Sequence, residues 1–329
     1  MDRVSARARL PARDGTSSDA PSRGDRVPFR VAPMLATLVD EPLHRPGWVY
    51  EEKYDGYRIL AYKEGAKVTL CSRNAKDRTT SFADVAADVR RLRPRTLVLD
   101  GEVVGFDQAR VSRFQLLQQG ESALVYAVFD CLYCDGRDLR QEALAERRAV
   151  LERAIRGARR MFAARRLAPN GVKAYGLAKR RGLEGIVAKD ASAPYVEGRG
   201  TKWLKVKVHQ EEELVIGGYT APGGTRPYFG ALLLGAYDRG GKLRYVGKVG
   251  TGFSVPMLAT LYRTFQPLAV AAPAFADPPR EKSAVWLAPK LVAQIAFHEW
   301  TADRKLRQPV FLGLRDDKSP RECRLPEHV

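Results

Sequence analysis

The sequence predicts an α+β fold in two parts, a larger one of mixed strands and helices and a smaller β-rich one. Three observations predict it. The chain has 329 residues, 45% of them hydrophobic, which is enough for two domains with ordinary cores. Up to His209, apolar strands alternate with stretches of helical spacing. Beyond His209 the strands become short, the turns become Gly-rich, and a single helix is legible.

Residues 1–28 are rich in Arg, Asp, Ser, Pro and Gly and cannot bury enough apolar surface to offset chain entropy, so a disordered basic leader is expected. Folded structure starts at Val31-Ala-Pro-Met-Leu-Ala. A strand over Trp48–Tyr54 puts Lys53 and Asp55 on one face, and Gly56 permits a tight turn or close approach of a ligand. Ile59–Tyr62 and Lys67–Cys71 pair through a turn at Glu64-Gly65, with Ser72-Arg73-Asn74 overhanging the strand end. Phe82–Leu92 has helical spacing. Thr96–Phe106 is an apolar strand whose Asp100 and Glu102 share a face, where burial is costly unless they are paired or bind a metal. Ala123–Leu132 is a buried strand with Phe129 and Asp130 near its end.

Glu142–Arg166 reads as one helix with a Leu144, Leu151, Ile155, Ala158, Phe162 stripe and a basic opposite face, either solvated or in contact with DNA. Leu183–Lys189 is a short strand between an acid and a lysine. In Trp203-Leu-Lys205-Val-Lys207-Val, the two lysines share one face and the apolar residues the other. Two ammonium groups that close favour an anion such as a phosphate between them. The strands of Glu211–Tyr219, Gly230–Gly250, Leu291–Trp300 and Val310–Leu314, with a helix over Ser254–Leu268, suggest a small barrel of oligonucleotide-binding type.

Lys and Arg number 56 against 38 Asp and Glu, a net charge of +18, which predicts attraction to a polyanion such as nucleic acid. No apolar run is long enough to span a bilayer, and no signal-peptide core is present, so an intracellular protein with no membrane partner is expected. The four cysteines are too few for a disulfide scaffold, and Cys131-Leu-Tyr-Cys134 has no second pair to complete a zinc site. They are expected to be buried, reduced thiols.

A lysine nucleophile must be neutral, although its ordinary pKa is near 10.4. Burial beside Arg58, Lys205 and Lys207 is expected to lower it by roughly three units. Taken in order, Lys53-x-Asp-Gly-x-Arg58, Ser72-Arg-Asn74, Leu99-Asp-Gly-Glu102, Phe129-Asp130, Glu184-Gly-Ile-Val-Ala-Lys189, Trp203-Leu-Lys-Val-Lys207 and Arg315-x-Asp-Lys318 resemble the motif series of ATP-dependent DNA ligases. Met34-Leu-Ala-Thr-Leu, Asp135-Gly-Arg-Asp-Leu and Phe311-Leu-Gly-Leu-Arg-Asp-Asp-Lys are similar to the ligase module of bacterial multifunctional end-joining ligases.

The resemblance implies a nucleotidyltransferase (adenylation) domain of antiparallel sheets with flanking helices over 29–208, an OB-fold barrel over 209–320 and a tail over 321–329. It implies that Lys53 attacks the α-phosphate of ATP and forms lysyl-AMP. Glu51 would recognise adenine and Phe129 stack on it. Arg58, Arg73 and Glu102 would hold the ribose and the nicked end; Arg199, Lys205 and Lys207 the AMP phosphate; Arg315 and Lys318 the pyrophosphate. Glu184, with Glu102, would bind Mg2+, with Mn2+ as the alternative. AMP would then pass to a DNA 5′-phosphate, and a 3′-hydroxyl would displace it.

Implied partners are nicked or broken duplex DNA, a Ku-like end-binding protein, and separate polymerase or end-processing enzymes, for which this chain has no room. A monomer in the cytoplasm, at the nucleoid, is expected. Arg156–Asn170 fits the pattern poorly and carries no expected role. The chain lacks the zinc-finger and helix-hairpin-helix regions that NAD-dependent ligases append, which favours ATP. Two other readings compete: an RNA ligase or capping nucleotidyltransferase, where label from GTP alone would refute the ATP assignment, and a basic DNA-binding relative with an inactive pocket.

Overall fold

A computed structural model of the chain describes residues 26–119, 123–208, 210–223 and 226–326. Most of the expected leader, and the last three residues of the tail, lie outside the described residues. In chain order the first part comprises β1 (Met34–Leu38), β2 (Trp48–Lys53), β3 (Tyr57–Glu64), β4 (Lys67–Ser72), α1 (Ala83–Arg91), β5 (Thr96–Val104), α2 (Phe114–Gln119), β6 (Val125–Cys134), β7 (Arg137–Asp138), α3 (Leu144–Ala154), β8 (Met161–Ala163), α4 (Gly171–Arg180), β9 (Gly185–Asp190) and β10 (Gly198–Lys207).

These strands form two sheets, of order β4-β3-β5-β6-β7, with β8 beside β6, and β1-β10-β9-β2. Pairing is antiparallel except for β1 with β10 and β6 with β8. The larger sheet is apolar on both faces because both are covered. Its outer face packs Ile59, Leu97 and Val128 on Val85 and Val89 of α1 and Leu151 of α3. Its inner face packs Leu60, Val98 and Leu132 against Met34 and Trp203 of the smaller sheet. Behind the smaller sheet, Leu204 and Val206 pack on Ala174 and Ala178 of α4. Lys205 and Lys207, one residue out of phase, therefore face the gap between the sheets.

The second part comprises β11 (Gln210–Thr220), β12 (Leu232–Tyr237), β13 (Leu243–Val249), α5 (Val255–Phe265), β14 (Ala269–Val270), β15 (Ala284–Phe297), β16 (Glu299–Trp300), β17 (Leu306–Arg307) and β18 (Val310–Leu314). Its main sheet has the order β13-β12-β11-β15-β14, with β18 also on β15. The sheet curls into a part-closed barrel: Phe311 N–H donates to Thr251 O just beyond β13 at 3.0 Å. Ser254 caps α5, whose Leu258, Leu261 and Phe265 plug the barrel core.

One expected element is corrected. The single helix over Glu142–Arg166 ends at Ala154. Gly157 takes a φ of +84°, which ends helical winding, and Met161–Ala163 is the strand β8, pairing in parallel with β6. Its basic face is corrected in part: Arg147 and Arg148 are buried, while Arg153, Arg156 and Arg159 are exposed. No helix among the described residues is long and apolar enough to cross a membrane. All four cysteines are free thiols, two buried and two partly buried.

Candidate active site

Sheet register assembles the site. On the smaller sheet, Lys53 of β2 lies opposite Gly185 of β9, which lies opposite Lys207 of β10. One row further, Glu51, Val187 and Lys205 align in the same way. Paired residues share a face, so lysines and acids from three strands converge on the gap. Gly185 cannot be larger, since a Cβ there would sit 2.1 Å from Val206 O. The larger sheet answers with Arg58 of β3 opposite Glu102 of β5, and with Phe129 of β6. From the barrel come Glu211–Glu213, Gln294 and the residues after β18, Arg315, Asp317 and Lys318. All twelve residues expected at the site line this one cleft.

Lys53 Nζ donates to Glu184 Oε1, which the register brings beside it. Burial pulls the Lys53 pKa down, but Glu184, Asp55 and Glu102 outweigh it and hold the amine above its usual value. The expectation that a cage of cations keeps Lys53 neutral is therefore corrected: here carboxylates hold it charged. Two of the cations named for that cage are themselves occupied. Arg58 makes two 2.6 Å hydrogen bonds to Asp100, and Lys207 donates to Glu211 O and lies 3.7 Å from Glu212. The depressed amines of the cleft are Lys189, lowered by burial, and Lys205, which burial and then Lys207 and Lys53 lower to about 7.

Glu184 Oε2 is buried without a partner. Burial pushes Glu102 up to about 8 against Arg58, Arg315 and Lys53. The unpartnered Glu184 oxygen and the under-compensated Glu102 carboxyl suit a divalent cation such as Mg2+. Among the described residues no group of three or more His, Cys, Asp or Glu is arranged to hold a metal, so a cation here must complete its shell from water and phosphate.

At the far end of the cleft, Phe129 lies edge-on to Trp203 at 5.8 Å. The Arg58 guanidinium and the Lys189 ammonium each sit 4.5 Å from its ring centroid. The Glu51 carboxylate is already bound, at 2.6 Å by Lys189 and at 3.2 Å by Arg148. Arg73 pairs with Glu322 at 2.6 Å, and Arg199 donates to Ala36 O at 2.7 Å.

Arg315 is clasped by Asp317 through two 2.8 Å bonds, and Lys318 lies 3.1 Å from Glu213. Burial opposes the Glu213 charge, yet Lys318, Arg315 and Lys207 hold its pKa well below the usual value. Asp316 accepts from Tyr57 Oη and Arg78, each at 2.6 Å. Sequence reasoning quoted Lys189 within a motif but gave it no role, and it missed Gln294 and the glutamate run. Three consecutive acids directly after the Lys-x-Lys strand of a strongly basic chain were the available signal for that run.

Residues 33–207 match the family described as ATP dependent DNA ligase domain, and residues 225–318 match ATP dependent DNA ligase C terminal region. The chain is 38% identical over 96% of its length to the multifunctional non-homologous end joining protein LigD of Pseudomonas aeruginosa, and 35% identical over 89% to the protein of the same name from Mycobacterium bovis. It spans 38% and 39% of the lengths of those two relatives. Among solved structures, mycobacterial DNA ligase D complexed with ATP and MES is similar, with a TM-score of 0.69 and 33% identity over 90% of this chain and 98% of that one.

Proposed function

The chain belongs to the ATP-dependent DNA ligase family, and from that premise we propose that it joins a 5′-phosphate to a 3′-hydroxyl in duplex DNA through lysyl-AMP at Lys53. The observation that carries this reading is the convergence of Lys53, the Glu184–Glu102 pair and the cations of β10 and of the barrel's end on one cleft. Phosphoryl transfer needs positioning and charge neutralisation more than covalent help from the protein. In this reading Lys205, Lys207 and Arg199 hold the α-phosphate in line with the Lys53 amine. Arg315 and Lys318 draw off the pyrophosphate, and Phe129 supports the adenine. Glu184 and Glu102 would hold the divalent cation, which when bound would supply charge neutralisation. The new P–N bond forms as the bond to pyrophosphate breaks, and the amine proton leaves to a neighbouring carboxylate or water.

Duplex breaks as the working substrate, end joining as the setting, a Ku-like recruiting protein, a monomeric state and a cytoplasmic, nucleoid-bound location all belong to the proposal. The end-joining relatives and the net charge of +18 support it. The test is intact mass after mixing with ATP and magnesium, followed by addition of nicked duplex. The expected result is a gain of one AMP, lost again as the nick is sealed. Labelling by GTP alone, or sealing with no adduct, would overturn it.

The rate also has an expected pH dependence. Attack needs the neutral amine, and the neighbouring carboxylates hold Lys53 charged. Adduct formation at saturating ATP should therefore rise with pH between 7 and 9. Over that range the KM for ATP should climb as Lys205 sheds its charge above about pH 7. Rapid-quench mass measurements check both; a flat rate would mean the amine was neutral from the start.

A further inference from the structure

Gln294 sits on β15 of the barrel, only 4% exposed, and spends its whole amide on the boundary with the first domain. Its Nε2 donates to Asp55 Oδ1 at 3.1 Å and to Glu211 Oε2 at 2.7 Å, and its Oε1 accepts from Arg315 at 2.9 Å. Only one orientation of the amide satisfies all three, because two carboxylates need a donor and a guanidinium needs an acceptor. Asp55 lies two residues beyond Lys53, and its other oxygen is fixed by the Phe114 N–H at 2.9 Å. Arg315 is held in turn by Asp317 and over the Phe114 ring, 4.3 Å from its centroid.

We propose that Gln294 is a positioning residue for the lysyl-AMP step, the link that registers Arg315 of the barrel against the lysine-bearing strand of the first domain. The proposal rests on the ligase reading. Its reach is confined to one step by the chemistry. Arg315 is placed for the departing pyrophosphate, and that leaving group exists only while Lys53 is being adenylylated. When the 3′-hydroxyl attacks an adenylylated DNA end the leaving group is AMP, and the Gln294 link has nothing to align.

Two substitutions separate the contributions. Q294E keeps an acceptor for Arg315 but sets a third carboxylate against Asp55 and Glu211. Q294M keeps the volume and removes every hydrogen bond. With the full chain, single-turnover AMP uptake should fall about thirtyfold in Q294E and about tenfold in Q294M, the worth of one or two charge-assisted hydrogen bonds. Sealing of a nick carrying a chemically adenylylated 5′ end, without ATP, should stay within about threefold of wild type. Equal losses in both steps would reduce Gln294 to a structural residue and overturn the proposal, as would AMP uptake unchanged in both variants. A wild-type protein that takes up no AMP would instead sink the ligase reading itself.

Discussion

Lys53→Ala should abolish the AMP adduct, with residual uptake at least about 10⁴-fold below wild type, because no other amine is set to replace the nucleophile. The candidate substitute is Lys205, whose pKa near 7 makes it the more readily neutral amine of the pair. Part of that depression comes from the charge on Lys53 itself. Removing Lys53 therefore returns Lys205 toward its ordinary, protonated range and makes it a poorer nucleophile. Geometry points the same way: Lys205 stands one row along the sheet from Lys53, opposite Val187 rather than beside Glu184. The variant should stay folded, since the Lys53 side chain lies at the cleft wall and is 18% exposed. Its loss frees Glu184 of its partner at a cost of about 1–3 kcal/mol. Intact mass and tryptic mapping check the result, with circular dichroism as the fold control. An adduct of wild-type size on any other lysine would remove Lys53 from its assigned place.

How much of this was legible in the sequence depends on how local the information is. Lys205 and Lys207 could be assigned to one face because alternation along a strand is a two-residue pattern, and the structure keeps them there. Lys53, Glu102 and Phe129 were legible through the motif series, and all three line the cleft. The charge state of Lys53 was not legible, because it depends on which partner each cation finds across the sheets. Arg58 turns to Asp100, and Glu184 falls beside Lys53 through the β2–β9 register.

The false extension of α3 has a similar origin. Ile155, Ala158 and Phe162 continue a helical stripe, yet Gly157 turns the chain and β6 recruits Met161–Ala163 as a strand. Gln294 gave no local signal at all, since one amide in a long apolar strand acquires meaning only when Asp55 and Arg315 arrive from other elements. Arg156–Asn170, left without a role, supplies backbone support: Arg165 O accepts from Glu52 N–H at 2.9 Å, and the Arg165 guanidinium lies 3.5 Å from the Glu52 carboxylate.

Arg147→Met should destabilise the protein by about 3–5 kcal/mol at neutral pH, the usual cost of stripping one member from a buried ion pair. Arg147 and Asp130 are both fully buried and joined by two hydrogen bonds of 2.7 and 2.8 Å. The same guanidinium also donates to Glu142 O at 2.6 Å and Ala193 O at 3.0 Å, tying α3 to the segment after β9. Methionine fills much of the volume but strips Asp130 of both guanidinium bonds, leaving it the Cys131 N–H at 2.9 Å and the attraction of Lys189. Burial already raises the Asp130 pKa against the pull of Arg147, and removing that pull raises it further. An acid whose folded pKa lies above its unfolded value keeps its full contribution in acid and loses it as the pH climbs through the folded pKa. The deficit of Arg147→Met should thus shrink toward pH 4 and grow toward pH 8. Adding Asp130→Asn should recover part of it at neutral pH by removing the unpaired charge. Urea titrations of the three proteins at pH 5 and pH 7.5 read out both effects. A loss under about 1 kcal/mol, or one that deepens on acidification, would show that this pair does not carry the junction of α3 with β6.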